Sequence, residues 1–263
     1  MQQLLVDAVL ALIAFSAFIA LFFFVLTRGT LLVRALSSRS GSEASHVYPI
    51  YSNMRLIKLI DYQFIISAIL LFQYHRLVRK IVSGLGKLDL ENKTVLITSC
   101  AFGNVIPEIV KAALQAGAAR ILVTDIIKNE LIHAESKLGD VGGKVEFIEE
   151  DATAMHLEDG AVDVNIVFFL LHELPHHLKE PTLQEASRLL APGGKLFLAE
   201  FHRPDSRVLR LFSWTYFKVF EPYGLALWDT HDPLDYLLSL DGWSGERYTC
   251  FNGNFQVISA TRS

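Results

Sequence analysis

The clearest fold signal in this chain is the stretch TVLITSCAFGN at residues 94–104. Residues 94–98 are β-forming, residues 99–104 are mostly small or polar turn formers, and apolar periodicity then predicts a helix from Val105 towards Gln115. A strand, a turn and a helix in that order begin a βαβ unit, in which successive strands are parallel.

The same alternation continues towards the C-terminus. Further strands are predicted at 121–124, 145–148, 164–170 and 195–200, with helices at 128–138 and 183–190. The dipeptide Asn252-Gly253 lies between two apolar segments and predicts a type I′ hairpin. Residues 91–263 are therefore predicted to form a doubly wound α/β sheet that ends in an antiparallel hairpin.

The composition excludes several classes of protein. Hydrophobic residues make up 51% of the 263, which excludes a disordered chain. The net charge of −4 means that the whole molecule lacks the basic character typical of nucleic-acid-binding proteins. Two cysteines, Cys100 and Cys250, are too few for a disulfide framework or a four-cysteine metal site. The composition indicates a globular domain joined to an apolar segment.

That apolar segment is the run Ala8–Leu26, in which Ser16 is the one polar residue. As a helix it would be roughly 29 Å long, close to the ~30 Å hydrocarbon core of a bilayer. Basic residues follow the run and none precedes it, so the positive-inside rule places the C-terminal bulk on the cytoplasmic (or mitochondrial matrix) side. We expect residues 1–36 to form a single-pass transmembrane anchor; a signal peptide and a buried core helix are the alternatives.

Residues 37–90 are predicted to connect the anchor to the domain. They begin with a Ser/Gly-rich linker at 37–45 and contain the apolar stretch 64–72, which is too short to span a bilayer. The segment 28–90 carries a net charge of +6, which suits an anionic membrane surface. Stretch 64–72 is expected to lie in the membrane interface, to cover the domain as a lid, or to pack in its core.

Over roughly residues 90–260, the order of elements resembles the class I S-adenosylmethionine-dependent methyltransferases. Members of that superfamily have a Rossmann-like sheet with a glycine-rich cofactor loop after the first strand. Here the three glycine positions hold Ser99, Ala101 and Gly103, and the acidic position before them holds Ile97. Small side chains still allow close approach to the backbone, whereas the acid that usually meets the cofactor's amino group is absent.

Two acids occupy the expected positions after the next strands. Asp125 ends the second strand and matches the acid that holds the ribose hydroxyls, while Asp151-Ala152 follows the third and matches the pair that meets the adenine. The resemblance thus implies S-adenosylmethionine as cofactor. The alternatives are a helix N-cap for Asp125 and a turn acid for Asp151.

Further motifs are similar to those of the rhodoquinone-biosynthesis (RquA) family, an offshoot of the quinone methyltransferases. They are FFLLHELP at 168–175, FHRP at 201–204, and EP at 221–222 with LW at 227–228. This resemblance implies conversion of membrane-embedded ubiquinone to rhodoquinone, in which an amino group replaces a ring methoxy group. It also implies that S-adenosylmethionine donates the amino group and that a divalent metal ion, Mn²⁺, assists the reaction.

The same motifs supply candidates for proton transfer. His172 and Glu173 follow the fourth strand and His202 follows the fifth, so all three are expected at one edge of the sheet. Imidazole exchanges protons near neutral pH, as addition to and elimination from a quinone ring require. The three side chains are also candidate Mn²⁺ ligands. Alternatively, His172 and Glu173 only hydrogen-bond the start of the next helix.

Residues 172–176 also match H-E-x-x-H, the zinc-protease signature. That site needs both histidines on one helix, whereas Pro175 lies inside this motif and a strand is predicted before it. We therefore expect no metalloprotease, and we expect His176 and His177 to be solvated residues of the following helix.

The segment 205–245 is rich in aromatic residues: Phe212, Trp214, Tyr216, Phe217, Phe220, Tyr223, Trp228, Tyr236 and Trp243. Such rings can enclose an apolar quinone ring and its isoprenoid tail, or they can pack an accessory helix onto the sheet. Three classes of function follow from the sequence: a membrane-anchored enzyme that aminates a quinone ring, a conventional methyltransferase acting on a quinone or another lipid, and a non-catalytic relative that binds a quinone or a partner protein.

Overall fold

The computed structural model describes residues 54–263. The predicted transmembrane anchor and the Ser/Gly-rich linker lie outside that range. Within it, no helix is both long enough and apolar enough to cross a bilayer.

Strands of this range form a single mixed sheet. Their bounds are β1 (Thr94–Thr98), β2 (Arg120–Asp125), β3 (Val145–Glu149), β4 (Val162–Phe168), β5 (Leu190–Phe201), β6 (Trp243–Cys250) and β7 (Phe255–Arg262). The order across the sheet is β3-β2-β1-β4-β5-β7-β6. Strands β1 to β5 are parallel, and β7 is antiparallel to both β5 and β6. This is the doubly wound sheet with a closing hairpin that the sequence predicts.

Helices lie before and between the strands. Their bounds are α1 (Met54–Ile60), α2 (Gln63–Ile69), α3 (Tyr74–Leu85), α4 (Val105–Gln115), α5 (Lys128–Ser136), α6 (His176–Leu189), α7 (Arg207–Phe220) and α8 (Pro233–Ser239). Two 3₁₀ helices cover Gly139–Lys144 and Pro222–Trp228.

The strand order reverses between β1 and β4, which are adjacent in the sheet. In an open α/β sheet, the loops on either side of such a reversal diverge and leave a crevice beyond the carboxyl ends of the strands. We call that side of the sheet, where β1 to β5 end, the carboxyl edge. All the candidate site residues follow these strand ends.

Several element bounds differ from the predicted ones. Strand β4 ends at Phe168, two residues before the predicted end, because Phe169 has φ +54° and cannot continue a strand. Helix α6 begins at His176, with Pro175 as its N-cap. The sequence predicts only its second half, from residue 183, because the polar first turns show no apolar periodicity. The hairpin turn has four residues between the paired Cys250 and Phe255, and Asn252-Gly253 lies at its centre as predicted. Both central residues have positive φ, and the amide of Asn254 donates to the carbonyl of Phe251 (3.1 Å).

Helices α1 to α3 are part of the same compact unit as the sheet. Ile66 and Leu70 of the apolar stretch 64–72 are buried in the core that also contains Tyr74. Phe64 and Phe72 from the same stretch remain exposed. The stretch therefore packs on the domain through one face and presents a second apolar face outward.

Candidate functional site

The loop after β1 keeps the backbone shape of a glycine-rich turn although only one glycine remains. Ser99 has φ +75° and Gly103 has φ +79°, both in the left-handed region that favours glycine. A Cβ atom on Gly103 would lie 2.5 Å from the hydroxyl of Tyr74, so this position admits no larger residue. The predicted positions Ser99, Ala101 and Gly103 thus form one tight loop, 99–103, at the carboxyl edge.

Asp125 holds this loop in place. Its Oδ2 accepts hydrogen bonds from the amide of Cys100 (2.6 Å) and the hydroxyl of Ser99 (3.2 Å), and its Oδ1 accepts one from the amide of Ile127 (2.8 Å). Burial raises the pKa of Asp125 despite these amide hydrogen bonds. The N-cap of α5 is Ile127, so Asp125 is not the cap itself. A carboxylate has about four lone-pair sites, so one remains for a hydroxyl.

Asp151 and Ala152 follow β3 beside Asp125. The amide of Glu150 donates to the carbonyl of Asp125 (3.0 Å), which brings the two strand ends together. Oδ1 of Asp151 accepts from the amide (2.8 Å) and the hydroxyl (2.7 Å) of Thr153. Asp151 is therefore an exposed turn acid at the carboxyl edge, a position from which it can also reach a ligand.

A side chain that sequence reasoning missed clamps the loop from the other side. Oδ1 of Asp61 accepts hydrogen bonds from the Gly103 amide (2.6 Å) and from Nζ of Lys137 (3.0 Å), while Oδ2 lies 2.9 Å from Nε2 of His133. Nζ of Lys137 also donates to the Gly103 carbonyl (2.9 Å). Both backbone polar groups of Gly103 are thus held by charged side chains.

Glu130, on the first turn of α5, is a second residue that the sequence did not reveal. It is only 3% exposed, and its Oε1 has no hydrogen-bond partner among the described residues. Burial and the nearby negative charges, chiefly that of Asp125, raise its pKa to about 8, although Lys137 opposes them. A buried carboxyl with an unpaired oxygen is costly unless a ligand completes its hydrogen bonds.

These residues fit S-adenosylmethionine, whose sulfonium and ammonium groups are positively charged. The loop 99–103 offers close backbone approach, Asp125 and Asp151 offer acceptors for hydroxyl and amino groups, and the unpaired oxygen of Glu130 offers one more hydrogen-bonding atom. These groups fit the cofactor although position 97 holds Ile97 and not the usual acid.

On the other half of the carboxyl edge, His172 pairs with Glu200, the penultimate residue of β5. Nδ1 of His172 lies 3.0 Å from Oε1 of Glu200, and the His172 amide donates to Oε2 (3.2 Å). Glu200 is fully buried. Burial alone lowers the pKa of His172, but the charge and hydrogen bond of Glu200, together with Glu173 and Glu221, raise it overall to about 9. The imidazole is therefore protonated at neutral pH and can donate a proton.

The turn that carries His172 is fixed by a buried lysine. Nζ of Lys179 donates to the carbonyls of Leu171 and Leu174 (2.8 Å for the latter), and the side chain is 1% exposed. Burial lowers the pKa of Lys179 to about 8 against the charges of Glu200 and Glu221. Lys179 thus holds the His172-Glu173 turn at the start of α6.

Glu173 lies between the two halves of the site. Its Oε1 is 4.0 Å from Nε2 of His172, and its charge raises the pKa of both His172 and Glu130. One carboxylate thus acts on the cofactor half and on the histidine half.

His202 does not join His172 and Glu173. Its Nδ1 donates to the carbonyl of Gly253 (2.7 Å), and its Nε2 accepts from Arg247 (3.1 Å). Side chains alternate along a strand, so the neighbouring Phe201, which packs on His172, sends His202 to the opposite face. Within residues 54–263, no three His, Cys, Asp or Glu side chains form a group that could hold a metal. The predicted Mn²⁺ set of His172, Glu173 and His202 therefore does not fit this arrangement.

Aromatic rings enclose His172. The ring centroid of Phe201 is 4.9 Å from that of His172, and that of Phe169 is 5.9 Å away. Phe217 of α7 packs edge-on against Phe201 at 4.9 Å. Gly224 makes this packing possible, since a Cβ atom there would lie 2.5 Å from the Phe217 ring. The aromatic segment thus contributes to the wall beside His172, although Phe212 and Trp214 point outward.

The H-E-x-x-H match has no helical geometry. His172 lies in the turn before α6, Pro175 is the N-cap, and His176 is the first helical residue. Two histidines one helical turn apart on the same helix are therefore absent at residues 172–176, as expected. His176 and His177 are both exposed, which agrees with the expectation that they are solvated residues of the helix.

The strand order and the site at the carboxyl edge define the class I S-adenosylmethionine-dependent methyltransferase fold. An S-adenosylmethionine-dependent methyltransferase from Aquifex aeolicus has the same fold, with a TM-score of 0.52 and 19% identity over 80% of this chain and 99% of that one. The profile of the ubiE/COQ5 methyltransferase family matches residues 51–240, well over half of the chain. The chain belongs to the ubiE/COQ5 methyltransferase family.

Two relatives illustrate the similarity. The ubiquinone/menaquinone biosynthesis C-methyltransferase UbiE of Pseudomonas fluorescens (strain Pf0-1) is 30% identical over 109 residues, which are 41% of this chain and 39% of that protein. The demethylmenaquinone methyltransferase of Lactococcus lactis subsp. lactis (strain IL1403) is 28% identical over 159 residues, which are 60% of this chain and 61% of that protein. The matches thus span less than two thirds of either relative.

Proposed function

We propose that the chain is a S-adenosylmethionine-dependent enzyme that modifies the ring of a membrane quinone, and that it replaces a ring methoxy group by an amino group. The observation that carries the proposal is the buried His172–Glu200 pair, which aromatic rings enclose at the same edge of the sheet as loop 99–103 and Asp125. The relatives named for ubiquinone and menaquinone biosynthesis support a quinone as the substrate class.

S-adenosylmethionine, when bound, would supply the amino group. His172, charged at neutral pH, would donate a proton to the quinone carbonyl oxygen as the ring carbon forms its bond to nitrogen. Glu200 stabilises the imidazolium before transfer and keeps the ring oriented. The nitrogen then loses one proton and the departing methoxide gains one, so methanol leaves and the quinone carbonyl is restored. Release of the aminoquinone would also require cleavage of the bond between this nitrogen and Cα of the cofactor. A proton lost from Cβ and one gained by nitrogen would balance that cleavage, and the rest of the cofactor would leave as an unsaturated carboxylate. Glu173 is placed to accept a proton beside His172.

The aromatic wall would position the quinone ring. Phe169, Phe201 and Phe217 offer flat apolar surfaces beside His172 and exclude water from the proton transfer. Phe169 has φ +54°, an unfavourable conformation that costs of order 1–3 kcal/mol and is typical of functional sites. Its ring is thereby turned between His172 and Phe201.

C-methylation of a quinone ring is the second candidate, because both relatives are named as methyltransferases. The same edge of the sheet would then deliver the methyl group of S-adenosylmethionine to a ring carbon. Deprotonation of that carbon requires a base, and Glu173 is the candidate, with its side chain 28% exposed and its Oε1 4.0 Å from Nε2 of His172.

One assay separates the candidates. Purified full-length protein is incubated with ubiquinone and S-adenosylmethionine labelled with ¹⁵N at the amino group, with and without Mn²⁺, and the lipid products are identified by mass spectrometry. Amination predicts a product in which a methoxy group is replaced by ¹⁵N-labelled amine. An added methyl group would favour C-methylation, and unchanged quinone under every condition would contradict both.

We also propose that Ala8–Leu26 anchors the protein in the bacterial inner membrane or the mitochondrial inner membrane, with the enzyme domain on the cytoplasmic or matrix side. The length of the run and the basic residues after it support this location. An anchored enzyme meets a bilayer-dissolved quinone at the surface where the substrate is concentrated.

A further inference from the structure

Exposed apolar side chains are concentrated in two short segments of the described chain. Six of the eight side chains below are about two-thirds exposed, far more than ordinary core-facing residues. We call this set the rim: Tyr62, Phe64, Leu71, Phe72, Val208, Leu211, Phe212 and Trp214.

Both halves of the rim flank the carboxyl edge. The first half is attached to the loop 99–103, because Oε1 of Gln63 accepts a hydrogen bond from the Asn104 amide (3.2 Å). The second half belongs to α7, which begins six residues after the end of β5. A continuous series of packed rings runs between them beneath the edge: Tyr74, Phe168, Phe169, Phe201 and Phe217, with successive centroids 5.9, 5.0, 5.0 and 4.9 Å apart. Packed rings at the carboxyl edge therefore connect the elements that carry the two halves of the rim.

The turn after α2 leaves apolar groups exposed. Leu71 and Phe72 have φ +50° and +60°, and their amides donate to the carbonyls of Ala68 (3.0 Å) and Ser67 (2.6 Å), which closes the helix. The side chains of Leu71 and Phe72 are left 40% and 66% exposed. An apolar environment outside the domain would remove this apolar surface from water.

The charges beside the rim are positive. Residues 54–82 contain five Lys or Arg and one acid, and that acid is Asp61, which is already buried against Lys137. Residues 206–220 contain three basic residues and no acid, and Nζ of Lys218 lies 5.6 Å from the ring centroid of Trp214. In a chain of net charge −4, the two segments that carry the rim are therefore net basic. Such a pattern is complementary to an anionic bilayer surface.

We propose that the rim is a membrane-docking surface, which inserts into the headgroup–acyl boundary of an anionic bilayer and opens the carboxyl edge towards lipid. The basic side chains contact lipid phosphates while the exposed rings and leucines replace water with acyl chain. This goes beyond the proposed reaction, because it concerns how the domain is held on the bilayer and not what chemistry follows.

The test uses full-length protein in phosphatidylglycerol-containing vesicles whose acyl chains carry bromine, a short-range quencher of tryptophan fluorescence. In the Trp228→Phe/Trp243→Phe background, Trp214 is the remaining tryptophan. We expect its emission to fall to half or less of the value in bromine-free vesicles. Leu211→Asp should restore most of the emission, while Leu238→Asp, an equally apolar and 47% exposed position on α8 outside the rim, should leave the quenching intact.

Unquenched Trp214 in brominated vesicles would overturn the proposal. So would quenching that Leu211→Asp leaves unchanged, since the rim would then not be the inserted surface. If Trp214 is unquenched and sedimentation in detergent shows a dimer that Leu211→Asp dissociates, the rim is an interface between two copies of the chain. The readout is independent of turnover, so a failed quinone assay leaves it intact.

Discussion

At the scale of single residues, His172 owes its protonation state to Glu200. The sequence indicated His172 because an imidazole after a parallel strand is a recognisable candidate, but nothing in the local pattern marked Glu200. An acid in an apolar strand gains its role only when β4 and β5 pair and bury it beside the imidazole. The same holds for Glu130, whose position in a helical first turn is ordinarily solvated.

Ser99 makes a related point about backbone shape. The sequence shows a lost glycine, whereas the structure shows that the left-handed conformation is retained at φ +75°. The hydroxyl bond to Asp125 offsets part of the cost of placing a non-glycine residue there. Composition alone therefore overstated the erosion of the loop.

Glu200→Gln tests the pair directly. With the charge of Glu200 removed, only Glu173 and Glu221 oppose the effect of burial, so the pKa of His172 should fall from about 9. The measurement is an NMR titration of the His172 ring nitrogens. Catalytic turnover should fall by roughly 10²-fold or more, the usual contribution of a positioned proton donor.

The pH dependence of stability should change with it. Between pH 6.5 and about 9, native His172 keeps a proton that the unfolded chain releases, so this contribution is complete below pH 6.5 and is lost as the pH rises to 9. Glu200→Gln should remove that loss, whereas Glu246→Gln, an exposed glutamate on β6, should not. An unchanged His172 titration in Glu200→Gln would refute the assignment.

At the scale of elements, α1 and α2 are part of the cofactor half of the site. The sequence allows three interpretations of the stretch 64–72: an interfacial helix, a lid and a core helix. In the structure, one face of the stretch packs into the core of the domain and a second apolar face is exposed. Asp61 lies in the turn between α1 and α2 and clamps Gly103. It is the lone acid in a basic segment, a sequence signal that could have identified it.

Asp61→Asn should loosen the loop 99–103. The substitution leaves Lys137 as an uncompensated, mostly buried charge, so the free energy of unfolding should fall by roughly 2–4 kcal/mol. The Gly103 amide should also exchange its hydrogen faster, as measured by NMR. Asp140→Asn, at an exposed position in the 3₁₀ helix Gly139–Lys144, is the matched control and should change neither quantity. Unaltered exchange at Gly103 in Asp61→Asn would show that no clamp exists.

At the scale of the whole molecule, periodicity and turn chemistry were enough to predict the sheet, because parallel strands and their helices have strong apolar patterns. The site was predictable where a residue follows a strand end directly, as for Asp125 and His172. It was not predictable where partners come from distant elements, as for Asp61 and Lys137. Contrary to the prediction, the structure does not bring His202 together with His172. Side chains alternate along a strand, so Phe201 and His202 lie on opposite faces.

The claim on which the rest depends is that loop 99–103 and Asp125 bind a nucleoside cofactor at the carboxyl edge. The most direct test is isothermal titration calorimetry of S-adenosylhomocysteine with the full-length protein, Asp125→Ala and the control Asp159→Ala, which alters an exposed acid before β4. We predict measurable binding for the unmodified protein and the control. Binding to Asp125→Ala should be roughly 10- to 100-fold weaker, because charged hydrogen bonds to the ribose are lost. Equal affinity for all three proteins, with Asp125→Ala shown to be folded, would contradict the account.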